Sequence, residues 1–302
     1  MEFLNLFRSK PVYRGGNTYV TKGKVNEVDG QPAFRGVGTL IQWDFLGIDP
    51  KESIRANCAK VKARFTPTPD WLNDEPVAVV AYGPSLSRTW EDIKGFNTVF
   101  TCSGAHRFLL ERGITPKYHI DSDPRPHKTA MLGTPSDRTT YLLASIVDPG
   151  YIDFLQSHGI DKIALWHLFF MEPEILAACP KNEWLMTGGD IVGCRLMKIA
   201  RLMGYTNIHF FGFDACADKE ATHADKHLNP RIRLAPITYY DKTYITTDEW
   251  EVHAKILLEE LDRMPEIKYQ FHGEGLQQAM AQHHVPAIRS RGPLGVETYA
   301  GA

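Results

Sequence analysis

Val77-Ala-Val-Val-Ala81 runs directly into Tyr82-Gly-Pro-Ser-Leu86, and about thirty residues later Lys117-Tyr-His-Ile-Asp-Ser-Asp123 ends in two acids. An apolar strand that breaks into a Gly/Ser turn suits a phosphate, because glycine lets backbone N–H groups approach an anion closely. Asp121 and Asp123 lie two apart on an extended segment, so their side chains point the same way and can share a hard cation such as Mg²⁺. Gly83, Pro84 and Ser85 together with this acid pair predict a protein that handles a nucleotide.

Outward from this stretch the chain alternates short apolar strands with helices. Thr98–Thr101, Tyr118–Asp121, Thr140–Ala144, Lys162–Leu165, Ile208–Phe213 and Lys268–Phe271 read as strands. Ser87–Ile93, Ala105–Arg112, Pro149–His158, Gly189–Met203, Glu249–Met264 and Gly275–Gln282 read as helices. Such alternation builds parallel βαβ units, so residues 71–302 are expected to form an α/β fold, a three-layer Rossmann-like sandwich with a mostly parallel sheet. Ligands of such sheets sit beyond the carboxyl ends of the strands. Tyr82–Ser85, Cys102–Gly104, Asp121–Asp123 and Asp214 all fall at such ends. Residues 1–70 read as an N-terminal extension of short strands, such as Thr18–Thr21, and a helix within Ser53–Phe65. This extension would suit a lid or the arm of a homo-oligomer.

The bulk composition narrows the classes. With 34 Lys+Arg against 36 Asp+Glu, the net charge of −2 gives no basic excess that would make nucleic acid the main partner. Five widely spaced cysteines with no CxxC indicate neither a zinc ribbon nor a disulfide framework, and read as reduced thiols in a cytoplasmic protein. The N-terminus lacks the basic and apolar regions of a signal peptide, and no run of about 18 apolar residues predicts a membrane span.

Three further segments carry candidate chemistry. Ser103-Gly104 follows a strand and can expose backbone donors. Thr187-Gly188-Gly189-Asp190 opens the longest helix, where consecutive glycines leave N–H groups free for an anion or a ribose; a plain N-cap by Thr187 or Asp190 is the simpler use. Between Asp214 and His227 lies Asp-Ala-Cys-Ala-Asp-Lys-Glu-Ala-Thr-His-Ala-Asp-Lys-His. His223 and His227 would share a face if helical, as zinc ligands do. No glutamate follows His223 as in HExxH and no third ligand is evident, so a flexible loop carrying one general base is favoured, with His253 the next candidate. GxxxxGK[ST], GxGxxG, GxSxG and the kinase lysine motif are all missing, which argues against a P-loop kinase or an ordinary NAD-linked dehydrogenase.

Gly-Pro-Ser-Leu86 after a strand, Ser103-Gly-Ala, Gly113-Ile-Thr-Pro, Asp121-Ser-Asp123, Thr187-Gly-Gly and Gly212-Phe-Asp214 together resemble one group, over roughly residues 76–290. That group takes in the archaeal 6-hydroxymethylpterin diphosphokinases (MptE-like) and the motility-associated factor glycosyltransferases. The diphosphokinase branch implies that Asp121 and Asp123 carry Mg²⁺ against ATP, that Gly83–Ser85 hold phosphates, and that a hydroxymethyl heterocycle takes the diphosphate. The second half is similar to bacterial sialyltransferases of the nucleotide-sugar type. That likeness implies a nucleotide-sugar pocket lined by Gly83, Ser85, Ser103, Thr187, Gly188 and Asp214, with His223 or His227 deprotonating the acceptor hydroxyl. This chain departs from that pattern at Gly189 and Asp190. The acceptor, whether protein, glycan, pterin or modified base, is left open. The expectation is a nucleotide-dependent transferase, with sugar transfer ahead of diphosphate transfer and a non-catalytic nucleotide- or glycan-binding module as the third reading.

Overall fold

The computed structural model describes residues 48–285 except 69–70, 171, 182, 187–190, 220 and 226–233, together with the backbone of short strands nearer the two ends. Eight strands form one parallel sheet: β1 (Asn73–Val80), β2 (Val99–Cys102), β3 (Tyr118–Asp121), β4 (Thr140–Ala144), β5 (Ile163–Leu168), β6 (Leu185–Met186), β7 (Tyr205–Phe211) and β8 (Lys268–Phe271). Their spatial order is 6-5-4-3-2-1-7-8. All seven pairings are parallel. The expected α/β three-layer, Rossmann-like sheet is therefore what the chain builds.

The central strand shows why. In β1 the residues Val77 to Val80 are all fully buried, as a strand covered on both faces requires. Their side chains alternate: Val77 and Val79 join one apolar cluster with Leu196, Ile199 and Leu257, whereas Ala78 and Val80 join a second with Leu86, Phe108 and Leu109. Those partners come from the helices Val192–Leu202, Asp248–Asp262, Leu86–Thr89 and Ala105–Leu110, which cover the two faces. Pro76 sits inside β1 without breaking it. At Pro76 the strand pairs only with β7, and β2 joins from Ala78 onward, so the missing N–H costs no ladder bond on that side.

The helix Pro50–Lys60, read from sequence as part of the extension, packs onto this body. It starts with Asp49 accepting from Lys51 N at 2.8 Å and Pro50 at its first position. Ile54 enters the larger cluster, and the fully buried Asn57 donates through Nδ2 to the carbonyls of Ser145 (2.9 Å) and Val147 (2.7 Å). Ahead of it, Val12–Tyr13, Thr18–Gly23 and Gly36–Ile41 pair as an antiparallel sheet.

Several short elements escaped the sequence reading, among them the helices Lys128–Leu132 and Pro173–Leu176, strand β6 and one hairpin. β6 is two residues long, too short to show any period. The antiparallel hairpin Ala235–Tyr239 with Lys242–Thr246 lies mostly exposed, so it lacks the apolar run by which the buried strands were recognised. Among the described residues no helix is long and apolar enough to cross a membrane.

Candidate active site

The strand order reverses at β1, where β2 leads one way and β7 the other, and the chain leaves both strands at their carboxyl ends. In an open α/β sheet this switch point is where a crevice forms. A cleft of about 980 Å³ lies there, bordered by the turns after β1, β2, β3 and β7. That volume is in the range of a small-molecule site.

The turn after β1 is built differently from its sequence expectation. Gly83 and Pro84 do line the cleft. Yet Gly83 N donates to Gly212 O at 2.8 Å, Ser85 N donates to Asp214 Oδ2 at 2.7 Å, and proline has no N–H. The backbone donors expected to cradle a phosphate are thus engaged within the protein, and Ser85 is 1 % exposed. Asp214 closes this knot, since its Oδ1 also accepts from Gln278 Nε2 at 3.2 Å. Burial raises the Asp214 carboxyl pKa despite those hydrogen bonds. Asp214 is a buried latch between the ends of β1 and β7, with one edge on the cleft.

The turn after β2 presents Ser103 to the cleft with a left-handed backbone, φ +49°. Gly104 serves packing: a Cβ there would lie 2.3 Å from the Tyr82 ring. Tyr82 is held in turn by Asp225, which also pairs with Arg107. Tyr82, which the sequence placed at the carboxyl end of a strand without a role of its own, and Arg107, which it did not single out, both line the cleft.

The acid pair after β3 separates. Asp123 faces the cleft, but Asp121 is 1 % exposed and lies beneath it. Asp121 Oδ1 accepts from the N–H groups of Ser122 (2.8 Å) and Asp123 (2.9 Å). Asp123 is taken by Arg125, whose Nε reaches Oδ1 at 2.8 Å and whose second arm pairs with Oδ2. Lys128 Nζ stands 3.6 Å from Oδ2 of both aspartates. Burial raises the Asp121 carboxyl pKa; at Asp123 burial works the same way, but Arg125 and Lys128 outweigh it and hold the carboxyl low. The donor set does not fit the Mg²⁺ expected here, because a lysine ammonium occupies the space a shared ion would take. Among the described residues no cluster of three or more His, Cys, Asp or Glu is placed to bind a metal.

The opposite wall comes from the loop after β7 and from two helices. His223 lies on the cleft, half-buried, its ring 5.5 Å from that of Tyr82 and its Nδ1 2.8 Å from Thr222 Oγ1. The loop expected to be flexible is pinned: Ala217 N donates to Ile245 O (2.7 Å) and Ala224 N to Tyr82 O (3.1 Å). Arg195, buried in the helix Val192–Leu202, donates to Ser122 Oγ at 2.7 Å and reaches the cleft floor. Glu249, Trp250 and His253 enter from the helix Asp248–Asp262, which Thr247 caps through Trp250 N at 3.0 Å. Thr187, Gly188, Gly189 and His227 lie outside the described residues, so the sequence expectations for them stand apart from this geometry.

His253 is 8 % exposed, and burial, aided by the nearby Arg195 charge, lowers its pKa to about 4; burial does the same to His106, also about 4, beneath the sheet. Both folded values lie below the ordinary 6.5, so the stability carried by the neutral rings is complete above pH 6.5 and is lost as pH falls toward 4. Each ring accounts for up to about 3 kcal/mol of that loss. The urea midpoint should therefore drop between pH 7 and pH 5, and His253→Gln should flatten the drop. A midpoint equal at both pH values in wild type and variant would contradict these burials.

The sequence model of the family 6-hydroxymethylpterin diphosphokinase MptE-like matches residues 52–220. No curated protein matches the chain. Among solved structures, the MAf glycosyltransferase from Magnetospirillum magneticum AMB-1 is similar at 16 % identity and a TM-score of 0.58, over 78 % of this chain. The chain spans only 40 % of that protein. A mammalian sialyltransferase in complex with Gal-beta-1-3GalNAc-ortho-nitrophenol aligns at 12 % identity and a TM-score of 0.38, over 74 % of this chain and 79 % of that one. The family match extends over more than half of the 302 residues and takes in the turns after β1, β2, β3 and β7: the chain belongs to the 6-hydroxymethylpterin diphosphokinase MptE-like family.

Proposed function

We propose that the protein is a transferase that binds a nucleotide-sugar across the carboxyl ends of β1, β2, β3 and β7 and passes the sugar to an acceptor hydroxyl. One observation carries this reading: His223 and the Ser103 and Asp123 turns face one another across a single cleft at the switch point of the sheet. In the reaction His223 takes the proton of the acceptor hydroxyl. The acceptor oxygen bonds to the anomeric carbon, the bond from that carbon to the phosphate oxygen breaks, and the nucleotide leaves with the electron pair. Arg125, Arg195 and Arg107 line the same cleft and supply positive charge for the phosphates and for the leaving group.

Diphosphate transfer from ATP to a hydroxymethyl heterocycle is the second reading, and the family match favours it. It relies on an acid pair that holds Mg²⁺, and here Lys128 and Arg125 already neutralise that pair. For this reason sugar transfer is preferred. A thermal-shift panel of CMP, UDP, GDP, ADP and ATP separates the two. CMP or UDP at a hundredfold excess over Kd should raise Tm by about 5–10 °C. A preference for ATP would move the assignment to diphosphate transfer, and no shift with any of the five would rule out both.

A further inference from the structure

Lys128 is a lysine at 5 % exposure, and burying an ammonium is costly unless it is paired. Its Nζ lies 3.6 Å from Asp121 Oδ2 and 3.6 Å from Asp123 Oδ2, and donates to Ser103 Oγ at 2.9 Å. Asp121 Oδ2 is itself buried without a hydrogen bond, so this ammonium is the charge that compensates it. The lysine therefore ties the turn after β2 to the turn after β3, at the floor of the cleft, from the first position of the short helix Lys128–Leu132. A divalent ion bridging two carboxylates would make the same link. Mg²⁺ needs oxygen ligands at about 2.0–2.1 Å in near-octahedral order and keeps several waters. Here one oxygen of Asp121 is held by two backbone N–H groups, Asp123 is chelated by Arg125, and the space between the two Oδ2 atoms holds an ammonium that cannot be a ligand.

We propose that Lys128 is the resident cation of this site, so that the phosphate-bearing ligand binds the cleft without a divalent metal. The ligand's identity rests on the transferase reading above; the exclusion of metal by Lys128 does not. Two positive charges built into the chain, Lys128 and Arg125, balance the two carboxylates, and a phosphate entering the cleft meets Arg195 from the protein itself. The Asp-Ser-Asp loop is thereby fixed before any ligand arrives.

Two measurements test this, one with Mn²⁺ alone and one with nucleotide. Mn²⁺ titrated into the wild-type protein and followed by electron paramagnetic resonance should show no stoichiometric site. Lys128→Met should bind one equivalent at least about tenfold more tightly than the wild type, because the vacated carboxylates become free to coordinate. In the second measurement, the rise in Tm caused by CMP or UDP should be the same in EDTA and in Mg²⁺. One equivalent of Mn²⁺ bound by the wild type and lost in Asp123→Asn would overturn the proposal, as would a nucleotide shift that vanishes in EDTA. Should Lys128→Met fail to fold, the wild-type and Asp123→Asn titrations still decide the matter. Absence of any nucleotide shift would strike the transferase reading and leave the Mn²⁺ result intact.

Discussion

Replacing His223 with alanine is expected to lower the rate of group transfer by about 10²–10⁴-fold, the usual contribution of a positioned general base, while the nucleotide-induced rise in Tm stays at its wild-type value. The split between the two readouts follows from where the ring sits. His223 is on the cleft, and the loop that carries it is secured by Ala217, Ala224 and Asp225. Removing the ring takes away a proton acceptor, its hydrogen bond with Thr222 Oγ1 and its contact with Tyr82, and leaves the ties made by Ala217, Ala224 and Asp225 in place. Single-turnover assays with a CMP- or UDP-sugar donor would measure the rate, and differential scanning fluorimetry the binding. Full transfer by His223→Ala would remove the role from this residue. His253 would then be next, since it reaches the same cleft from the helix Asp248–Asp262 and burial keeps its ring neutral at pH 7.

The fold was legible because its information is local. Val77-Ala-Val-Val and the other buried strands announce themselves as short apolar runs, and glycines such as Gly113 and Gly204 stop the helices between them. Strand order was not legible, since nothing in the run Tyr205–Phe211 says that it lies beside β1 and not beyond β6. The site divides along the same line. Gly83, Ser103, Asp123 and His223 were found because each ends a strand or sits in a marked loop, and the structure brings all four to one cleft. What those turns do with their polar groups depends on partners far away in sequence. Ser85 N is engaged by Asp214, Gly83 N by Gly212, and Asp121 by Lys128, so the expected phosphate cradle and metal pair turn out to be internally satisfied. Arg195 and Lys128 were missed because a single basic residue in a helix looks like solvated surface until its burial is known. The Gly-Pro-Ser turn thus reads as the clasp of the switch point, and the charges that face a ligand come from Arg125, Arg195 and Arg107.

That clasp leads to the largest expected effect on stability. Gly83→Ala should cost about 3 kcal/mol or more and lower Tm by roughly 6–12 °C. A Cβ at Gly83 would stand 2.4 Å from Asp214 Oδ2, 2.6 Å from Gly212 O and 3.0 Å from Asp214 Cγ. None of these atoms is free to retreat. Gly212 O already accepts from Gly83 N at 2.8 Å, and Gly212 itself sits at φ +66° with the Ala81 carbonyl 2.4 Å from where its own Cβ would be. Asp214 is buried and tied to both Ser85 N and Gln278 Nε2. One methyl group must therefore either part the ends of β1 and β7 or leave a buried carboxylate short of a donor, and both outcomes disturb the turn on which the cleft is built. Gly95→Ala is the control, because no atom lies within 4 Å of a Cβ at that position and its backbone is not left-handed. Its Tm should stay within about 2 °C of wild type, a surface change of about 0.5 kcal/mol at most. Equal Tm values for Gly83→Ala and Gly95→Ala would mean that β1 and β7 do not meet through this contact, and the cleft would have to be built from other turns.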